Sequence, residues 1–414
     1  MTERQKYDVI VTGAGLAGLT CALALSGGHL SIPLRTLVID QGPTLGERNY
    51  AADTRGTAIT FASRNLLEAL GIWPMAAAHA QPFQQIIVTD AKTNADRAPV
   101  LLDFPRTGSS DTPSAWMLEN GTLLEALAKS VEDCRNIDVI TGESVQEFSF
   151  GPATVSIKTS RGNEHSAALL VAADGRNSTA RQAAGIDIVK WPYKQSAITL
   201  TINHTKPHEG RAEEHFRTHG PFAILPLTGN RSSLVWAEDR EEADRLMALD
   251  EAAFLDELRQ RTGDHLGEIG LANQRTSWPL GLQIAKSFVA PRLALVGDAA
   301  HVIHPIAGLG FNLGLKDIAA LAECVQLSAR RGQDIGGTAT LKEYEDWRRA
   351  DTMIVAAMCD GLARLFSNDV TPLALARQAG LKLVNAVPPV KRFFLDQAAG
   401  TAGRQPTLMT GGHL

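Results

Sequence analysis

The sequence predicts an α/β fold in which a parallel nucleotide-binding layer is assembled from separated pieces of chain, with an antiparallel sheet inserted between them. Three observations support this fold class. They are a glycine-rich turn between an apolar strand and a helix near residue 13, a second strand-to-helix connection near residue 300, and several short β-rich segments between the two. The chain has 414 residues, enough for two closely joined domains with a sizeable core.

Charge and cysteine content narrow the possible partners. The formal net charge is −5 and no basic run is present, so nucleic acid is not expected as a partner. The four cysteines are scattered, which predicts neither a disulfide framework nor a cysteine metal site and fits a reducing cytoplasm. The polar residues 1–6 predict no secretory signal, and no apolar run is long enough to span a bilayer, which leaves surface association open.

A glycine-rich turn follows the first predicted strand. Gly13, Gly15 and Gly18 stand at the G-x-G-x-x-G spacing between a strand at residues 7–12 and a helix predicted at residues 16–26. In a Rossmann-like unit these glycines permit the tight turn, the approach of backbone to a pyrophosphate, and close helix-on-strand packing. The alternative is a tight turn that binds nothing.

The second predicted strand, residues 36–39, ends in a carboxylate. Asp40 follows the glycine turn by about 20 residues, the spacing of the acidic residue that binds an adenosine ribose. Arg48 and Arg55 come next, before a helix predicted at residues 63–70, and either guanidinium can reach back to the cofactor. Both can equally be solvated surface charges, and for Arg48 this is the favoured interpretation.

Short β-rich segments fill the middle of the chain. They are rich in β-branched and aromatic residues and are separated by turn-forming or charged clusters, which predicts an antiparallel sheet. Five segments have this character: residues 85–90, 98–104, 195–203, 221–227 and 232–237. Residues 117–127 predict a strand end leading into a helix, and residues 137–142 predict another strand.

Segments of the nucleotide-binding layer and segments of the antiparallel sheet therefore alternate along the chain. Residues 1–74, 111–184 and 286–330 are expected to form a discontinuous nucleotide-binding domain. Residues 75–110 and 185–285 are expected to form a substrate-binding sheet domain, and residues 331–414 a C-terminal helical region.

An Asp-Gly turn follows the apolar strand at residues 169–173. The carboxylate of Asp174 and the free backbone at Gly175 can meet a ribose or a nicotinamide phosphate. Asp-Gly is also among the commonest turn dipeptides, so a purely structural turn is the alternative.

A second acidic turn follows the apolar strand at residues 293–296. Asp298 can accept hydrogen bonds from a sugar-like hydroxyl, and Pro305 stiffens the approach to a glycine-rich turn. A helix is predicted at residues 311–322, and its N-terminus stabilises an anion placed against it. The alternative is an ordinary strand-to-helix connection.

Together the three turns resemble those of the flavoprotein aromatic hydroxylases, the group that includes p-hydroxybenzoate hydroxylase. Within that group, the run His-Pro-Ile-Ala-Gly-Leu-Gly-Phe-Asn-Leu-Gly at residues 304–314 resembles the signature of the UbiH-like ubiquinone-biosynthesis hydroxylases. Residues 360–369, 380–385 and 391–394 are similar to that family's tail, so the resemblance covers nearly the whole chain.

The resemblance implies a Rossmann-like FAD-binding domain of the p-hydroxybenzoate hydroxylase type. Carried onto this sequence, the implied FAD contacts are Gly13, Ala14, Gly15, Leu16, Ala17, Gly18, Asp40, Arg55, Asp174, Asp298, Pro305, Gly308, Leu309, Gly310, Phe311 and Asn312. No metal is expected.

The candidates for a catalytic part are His304, Pro305 and Asn312. His301 and His304 flank a turn, where a histidine is more often structural, and His304 is expected to shape the site. Two departures from the family pattern put substrate contacts or flavin polarity nearby in doubt: Leu309 stands where the family usually has glutamine, and Gly121 where relatives often have arginine or histidine.

The reaction that the resemblance implies is ring hydroxylation. NAD(P)H or another donor reduces the flavin, O2 adds at its C4a position, and the distal oxygen passes to the ring of a polyprenylated phenol, of the 2-polyprenylphenol or 2-polyprenyl-6-methoxyphenol type. A prenyl tail suits an apolar second domain, since each buried methylene contributes about 0.8 kcal/mol.

Contact with a membrane or with other ubiquinone-biosynthesis proteins is a further expectation. The apolar residues 362–366, 373–384 and 393–394 can form an amphipathic surface for a cytoplasmic protein at the inner membrane, or a helical lid on the FAD domain. Three other functions stay open: a hydroxylase of a small soluble phenol, a prenyl-chain reductase, and a non-catalytic flavin scaffold of a biosynthetic complex.

Overall fold

A computed structural model describes residues 5–90, 100–105, 113–366 and 396–414 of the chain. In chain order the strands are β1 (Gln5–Thr12), β2 (Thr36–Asp40), β3 (Gly56–Thr60), β4 (Gln81–Pro82), β5 (Gln85–Asp90), β6 (Val100–Pro105), β7 (Ala115–Glu119), β8 (Ile137–Thr141), β9 (Val145–Phe150), β10 (Val155–Thr159), β11 (Glu164–Ala172), β12 (Ile188–His204), β13 (Arg211–Arg217), β14 (Gly220–Leu227), β15 (Arg231–Asp239), β16 (Ile269–Leu271), β17 (Thr276–Ala285), β18 (Val289–Ala290), β19 (Leu293–Leu295) and β20 (His301–Val302). The helices are α1 (Leu16–Ser26), α2 (Phe61–Ala69), α3 (Trp73–Ala76), α4 (Asn120–Glu132), α5 (Thr179–Ala183), α6 (Arg240–Ala248), α7 (Glu251–Thr262), α8 (Leu309–Arg330) and α9 (Thr338–Phe366).

The first sheet has a parallel centre. Its strand order is β18-β19-β11-β1-β2-β8, and the pairs from β19 to β8 are all parallel. Strands β1, β2 and β11 are short apolar runs whose middle residues are buried, as expected when helices cover both faces of a parallel sheet. Residues far apart in sequence therefore end at the same edge, which collects Gly13, Asp40 and Asp298 at the carboxyl ends of β1, β2 and β19.

The second sheet carries most of the β-rich middle of the chain. Its order is β20-β17-β12-β15-β14-β13-β5-β6, with β16 on β12, and the described residues of all five predicted segments lie in it. The pairing differs from the prediction at one ladder, because β5 and β13 run parallel. Strand β13 was not predicted, since polar residues occupy both of its faces. The predicted α/β fold class is confirmed, whereas the proposed domain boundaries stay a prediction.

Two long helices pack against the first sheet. Helix α8 contacts α1, and α9 packs on α8, so that the main core runs from β1 to the residues after 396. The last residues return to the start of the fold, where the Ala62 N–H donates to Ala399 and the Ser31 N–H donates to Leu414.

Most of the apolar tail that sequence analysis singled out, residues 373–384 and 393–394, lies outside the described residues. Among the residues described, no helix is both long and apolar enough to cross a membrane.

Candidate active site

The three glycines of the first turn differ in what surrounds them. Gly13 has a φ of +96°, and a Cβ there would lie 2.5 Å from the Ala173 carbonyl oxygen. A Cβ on Gly18 would lie 1.8 Å from the Gly13 carbonyl oxygen, so α1 packs on the turn without room for a side chain. At Gly15 a Cβ would meet nothing within 4 Å. Gly13 and Gly18 are thus required by the fold, whereas Gly15 faces open space where a ligand can approach the backbone.

The N-terminus of α1 adds an anion-binding element. Gly15 is its N-cap, and no side chain caps the helix there. The first N–H groups of a helix lack partners within it and carry the positive end of the helix dipole. Backbone donors and open space at Gly15 fit a pyrophosphate.

Asp40 is held against the glycine turn. Its carboxylate accepts hydrogen bonds from the N–H groups of Ala14 and Gly42, both at 2.8 Å, and from Arg48 at 2.7 Å. A carboxylate has about four lone-pair sites, so capacity remains for a ribose hydroxyl.

The interpretation of Arg48 as a solvated charge is wrong. Its side chain is only 17% exposed, and it donates to the Ala14 carbonyl oxygen at 2.7 Å while pairing with Asp40 at 2.7 Å. Arg48 therefore fixes the turn and the acid to each other. Sequence analysis missed this because the pairing depends on a tertiary contact.

Arg55 lies on the loop before β3 and is 59% exposed. It makes two hydrogen bonds to Asp53, at 2.7 and 2.6 Å, and these hold its pKa above the usual value. Gly121, one of the two departures, packs under this loop, since a Cβ there would lie 2.0 Å from the Tyr50 carbonyl oxygen. With this backbone, no larger residue fits at position 121.

The Asp174 carboxylate has a mainly structural role in its own turn. One carboxylate oxygen accepts from the N–H groups of Thr179 and Ala180, at 2.8 and 3.2 Å, and so caps α5. For this oxygen, the purely structural role that was the alternative for the Asp-Gly turn applies. The other oxygen, Oδ1, is buried without a partner among the described residues and is still available to a ligand.

Asp298 lies in the turn after β19. Its side chain is accessible to solvent, yet burial by the surrounding protein raises its pKa, against the opposing charges of His301 and Arg176. An accessible carboxylate with a perturbed pKa is a candidate for ligand binding.

The Gly297 turn is pressed between two helices. A Cβ on Gly297 would lie 3.5 Å from the Ala17 Cβ of α1, and a Cβ on Gly314 of α8 would lie 3.0 Å from the Gly297 Cα. The two glycine signatures, distant in sequence, are thereby brought side by side.

The N-terminus of α8 forms the far wall of the site. Gly308 is its N-cap, with a φ of +62°, and no side chain caps the helix. Asn312 ties this turn to β3, because its amide donates to the carbonyl oxygens of Ala58 and Gly308 and accepts from the Thr60 N–H, at 2.7, 3.0 and 3.0 Å. Its amide is thus hydrogen-bonded to the backbone, which holds the turn in position, and the catalytic role expected of Asn312 stays a prediction.

Leu309, the other departure, is buried at the start of α8. It lines a cavity of about 300 Å³ between α8, α9 and residues 396–409, together with Thr60 and Asn312. Gly310 and Phe311 continue the first turn of α8, and a Cβ on Gly310 would only touch Ile303, at 3.9 Å.

His304 is a buried, neutral histidine. Its side chain is 1% exposed, and burial lowers its pKa to about 4, against the opposing charge of Asp360. The ring meets Tyr193 edge-on at 5.2 Å, and Nδ1 accepts from the Ile306 N–H at 3.4 Å. Within the described part of the chain, Nε2 has no partner. His304 and Pro305 thus shape the turn, and the Nε2 side offers a single unused polar atom.

A buried charge network beneath the site was not predicted. Asp317 of α8 accepts from His301 at 2.6 Å, from Arg348 of α9 at 2.8 Å, and from the Gly297 N–H at 3.2 Å. Burial alone would raise the pKa of Asp317, but His301 and Arg348 hold it below its usual value. The network fastens α9 to the Gly297 turn. No local pattern in the sequence indicates that Arg348 is the partner.

Comparison with known proteins identifies relatives along nearly the whole chain. The family model described as FAD binding domain matches residues 6–357. Ubiquinone hydroxylase UbiL of Rhodospirillum rubrum is 40% identical over 407 residues, which cover 98% of this chain and 92% of that protein. The human mitochondrial ubiquinone biosynthesis monooxygenase COQ6 is 32% identical over 431 residues, covering 93% of this chain and 91% of that protein.

Solved structures share the fold at lower identity. PqsL of Pseudomonas aeruginosa, crystallised with 2-aminobenzoylacetate, has a TM-score of 0.77 at 21% identity, covering 91% of this chain and 99% of that one. The p-nitrophenol 4-monooxygenase PnpA of Pseudomonas putida has a TM-score of 0.76 at 17% identity, covering 95% of this chain and 99% of that one.

Proposed function

The chain belongs to the FAD-binding-domain family, and on that premise we propose that it is a flavin-dependent monooxygenase that hydroxylates the ring of a polyprenylated phenol in ubiquinone biosynthesis. The substrate class rests on the names of the relatives UbiL and COQ6. The observation that carries the assignment of the site is the convergence of three distant segments, at Gly15, Asp40 and Asp298, on the carboxyl-end edge of one parallel sheet.

The residues present fit FAD. In the proposed arrangement the open backbone at Gly15 and the uncapped N-terminus of α1 hold the pyrophosphate, and Asp40 holds the adenosine ribose. Asp298 would bind the ribityl or pyrophosphate portion, and the residues of the turn at 305–312 would hold the flavin ring. When bound and reduced by NAD(P)H, FAD supplies the activation of O2 for transfer of one oxygen atom to the ring.

The chain's own residues prepare the site for this chemistry. The uncapped N-terminus of α8 stabilises negative charge that develops against it. The neutral His304 brings no positive charge into the cleft, and the cluster of Phe216, Ile306 and Ala363 excludes water beside the turn.

We retain the domain division given by the sequence as part of this proposal. The second sheet, from residues 75–110 and 185–285, would hold the substrate, and the pieces at residues 1–74, 111–184 and 286–330 would hold FAD. Strand β20 hydrogen-bonds to β17, which joins the two parts close to the His-Pro turn.

A peripheral position at a membrane is also part of the proposal. A polyprenyl tail partitions into lipid, so the enzyme would meet its substrate at the membrane surface. Large apolar side chains are exposed at Val189 and Trp191 on β12 and at Met353 and Ile354 on α9, between 49% and 54%. These side chains are candidate contacts for lipid or for another enzyme of the pathway.

The test uses the FAD-loaded protein with NADPH and a 2-polyprenylphenol under air. We expect phenol-dependent O2 consumption and a product heavier by one oxygen atom. A saturated tail without O2 consumption would identify a prenyl-chain reductase. Bound FAD without NADPH oxidation would identify a scaffold, and equal turnover of a tail-free phenol would identify a hydroxylase of soluble phenols.

A further inference from the structure

The two faces of the second sheet differ in what covers them. On one face, large side chains such as Phe222, Leu234 and Trp236 pack against Phe254 and Leu258 of α7. The strand register puts Glu214, Ala223 and Val235 opposite one another on the other face, with Val88 beside Glu214. That second face is the one turned toward the His-Pro turn.

Small side chains leave space above this second face. Ala197, Ala223, Ser233 and Ala237 lie on it in register, where the opposite face has aromatic and branched residues. A row of residues across the strands is partly accessible: Val88, Glu214, Leu225 and Val235. The row forms an apolar wall with one carboxyl group in it.

Two apolar clusters bracket Glu214 along β13. Two residues further on, Phe216 packs with Ile306 of the His-Pro turn and Ala363 of α9. Two residues before it, Ala212 packs with Met117 and Phe83. Glu214 therefore faces the gap between the places where the sheet touches the layer that carries the flavin site.

The carboxyl group of Glu214 lacks a hydrogen-bonding or ionic partner among the described residues. In the described part of the chain, no hydrogen bond or ion pair reaches it, and burial raises its pKa to about 8. Its neighbour Glu213, on the opposite face, differs, since it contacts His215 at 3.0 Å and Arg211 at 2.8 Å. Glu214 is half-buried, and a carboxyl group that is partly withdrawn from water without a partner is costly to the fold; such groups concentrate at ligand sites.

We propose that Glu214 binds the phenol hydroxyl of the substrate and accepts its proton, which fixes the ring between the second sheet and the turn at residues 304–308. This inference rests on the proposed function. In the proton transfer the phenol O–H bond breaks, the proton passes to a Glu214 carboxylate oxygen, and the phenolate oxygen keeps the electron pair. The ring becomes more electron-rich and so more reactive toward an electrophilic oxygen. The ionised form of Glu214 takes the proton. Because burial raises the pKa of Glu214, that form is a stronger base than an ordinary glutamate, and hydroxylation should become faster as the pH rises and more of the group is ionised.

The test compares a 2-prenylated phenol with its methyl ether, which lacks the proton. Both are titrated into the FAD-loaded protein, and binding is followed by the change in flavin absorbance. In Glu214→Leu we expect the affinity for the phenol to fall by about 10- to 100-fold, as for the loss of a hydrogen bond to a charged group, with the affinity for the ether unchanged. Glu214→Gln should keep most of the phenol affinity and lower the rate of hydroxylation.

Val88→Ala is the matched control, because it trims the same wall without touching the carboxyl group. It should weaken the phenol and the ether by the same factor. If Glu214→Leu binds and hydroxylates the phenol like the wild type, this inference is overturned while the proposed function stands. If the wild type binds neither compound, the proposed function fails and the inference falls with it.

Discussion

Individual residues at this site have different roles. Gly13 and Gly18 are fixed by contacts with the chain itself, whereas Gly15 is fixed by none. Asp40 and Arg48 hold each other and the turn, whereas the exposed Asp298 and the half-buried Glu214 both have a raised pKa. The residues that matter for binding are thus those whose environment in the fold leaves them incompletely satisfied.

Gly15→Val tests whether the open space is the nucleotide site. A Cβ there meets no protein atom within 4 Å, so the protein should fold with a melting temperature close to that of the wild type without FAD. The branched side chain would occupy the space of the pyrophosphate, and we expect FAD affinity to fall at least 100-fold. Gly28→Val is the control, since a Cβ at Gly28 also meets nothing within 4 Å and lies away from the cleft. Equal FAD affinity in both variants would contradict the assignment.

The burial of His304 predicts that the free energy of unfolding depends on pH. Because burial lowers its pKa to about 4, the unfolded chain binds a proton more strongly than the folded one between that value and about 6.5. Above about pH 6.5 the burial of His304 therefore does not lower the free energy of unfolding. As the pH falls, this free energy decreases, by roughly 3 kcal/mol at pH 4.

Urea unfolding at pH 7 and at pH 4.5 measures this dependence. In His304→Asn this pH dependence of the free energy of unfolding should disappear, whereas His79→Asn, at an exposed position, should keep it. An unchanged pH dependence in His304→Asn would show that His304 is not held neutral by burial.

At the scale of elements, the position of α8 decides the geometry of the site. Its N-terminus is fixed to β3 by Asn312, to the Gly297 turn by Gly314, and to α9 by the pair of Asp317 and Arg348. Each link joins segments that are distant in sequence. The helix end can thus be held rigidly where negative charge is to be stabilised.

Asn312→Asp tests the link to β3. The carboxylate would face the carbonyl oxygens of Ala58 and Gly308 without donors for them, at a cost of about 1 to 3 kcal/mol. We expect a lower melting temperature and slower hydroxylation with FAD still bound. Asn177→Asp, at an exposed position, is the control. A fully active, equally stable Asn312→Asp protein would mean that this link does not position the helix.

The sequence predicted elements wherever the signal is local. The helix at residues 16–26 has the predicted bounds, because a strand, a glycine turn and an alanine- and leucine-rich run adjoin one another. Strand β13 was missed, since Glu213 and His215 are buried polar residues that satisfy each other and hide the alternation of a strand. Arg48 and Arg348 were misjudged or missed because a charged residue in a sequence does not reveal a buried partner.

At the scale of the whole molecule, the order of the segments makes the site. The parallel sheet collects strand ends from residues 12, 40 and 295 at one edge, and most strands of the second sheet come between residues 40 and 295 in chain order. The resemblance to the UbiH-like hydroxylases predicted this arrangement, and the family is confirmed. The second departure from the family pattern, Gly121, has a structural reason in its contact with Tyr50.

The central claim is that these distant segments build one FAD site. Its most direct measurement is a fluorescence titration of the flavin-free protein with FAD, in the wild type and in Asp298→Ala. We predict saturation at one FAD per chain for the wild type and a large loss of affinity in Asp298→Ala, although Asp298 is remote in sequence from the glycine turn. A wild-type protein that takes up no FAD, or an Asp298→Ala protein that binds it equally well, would contradict the account.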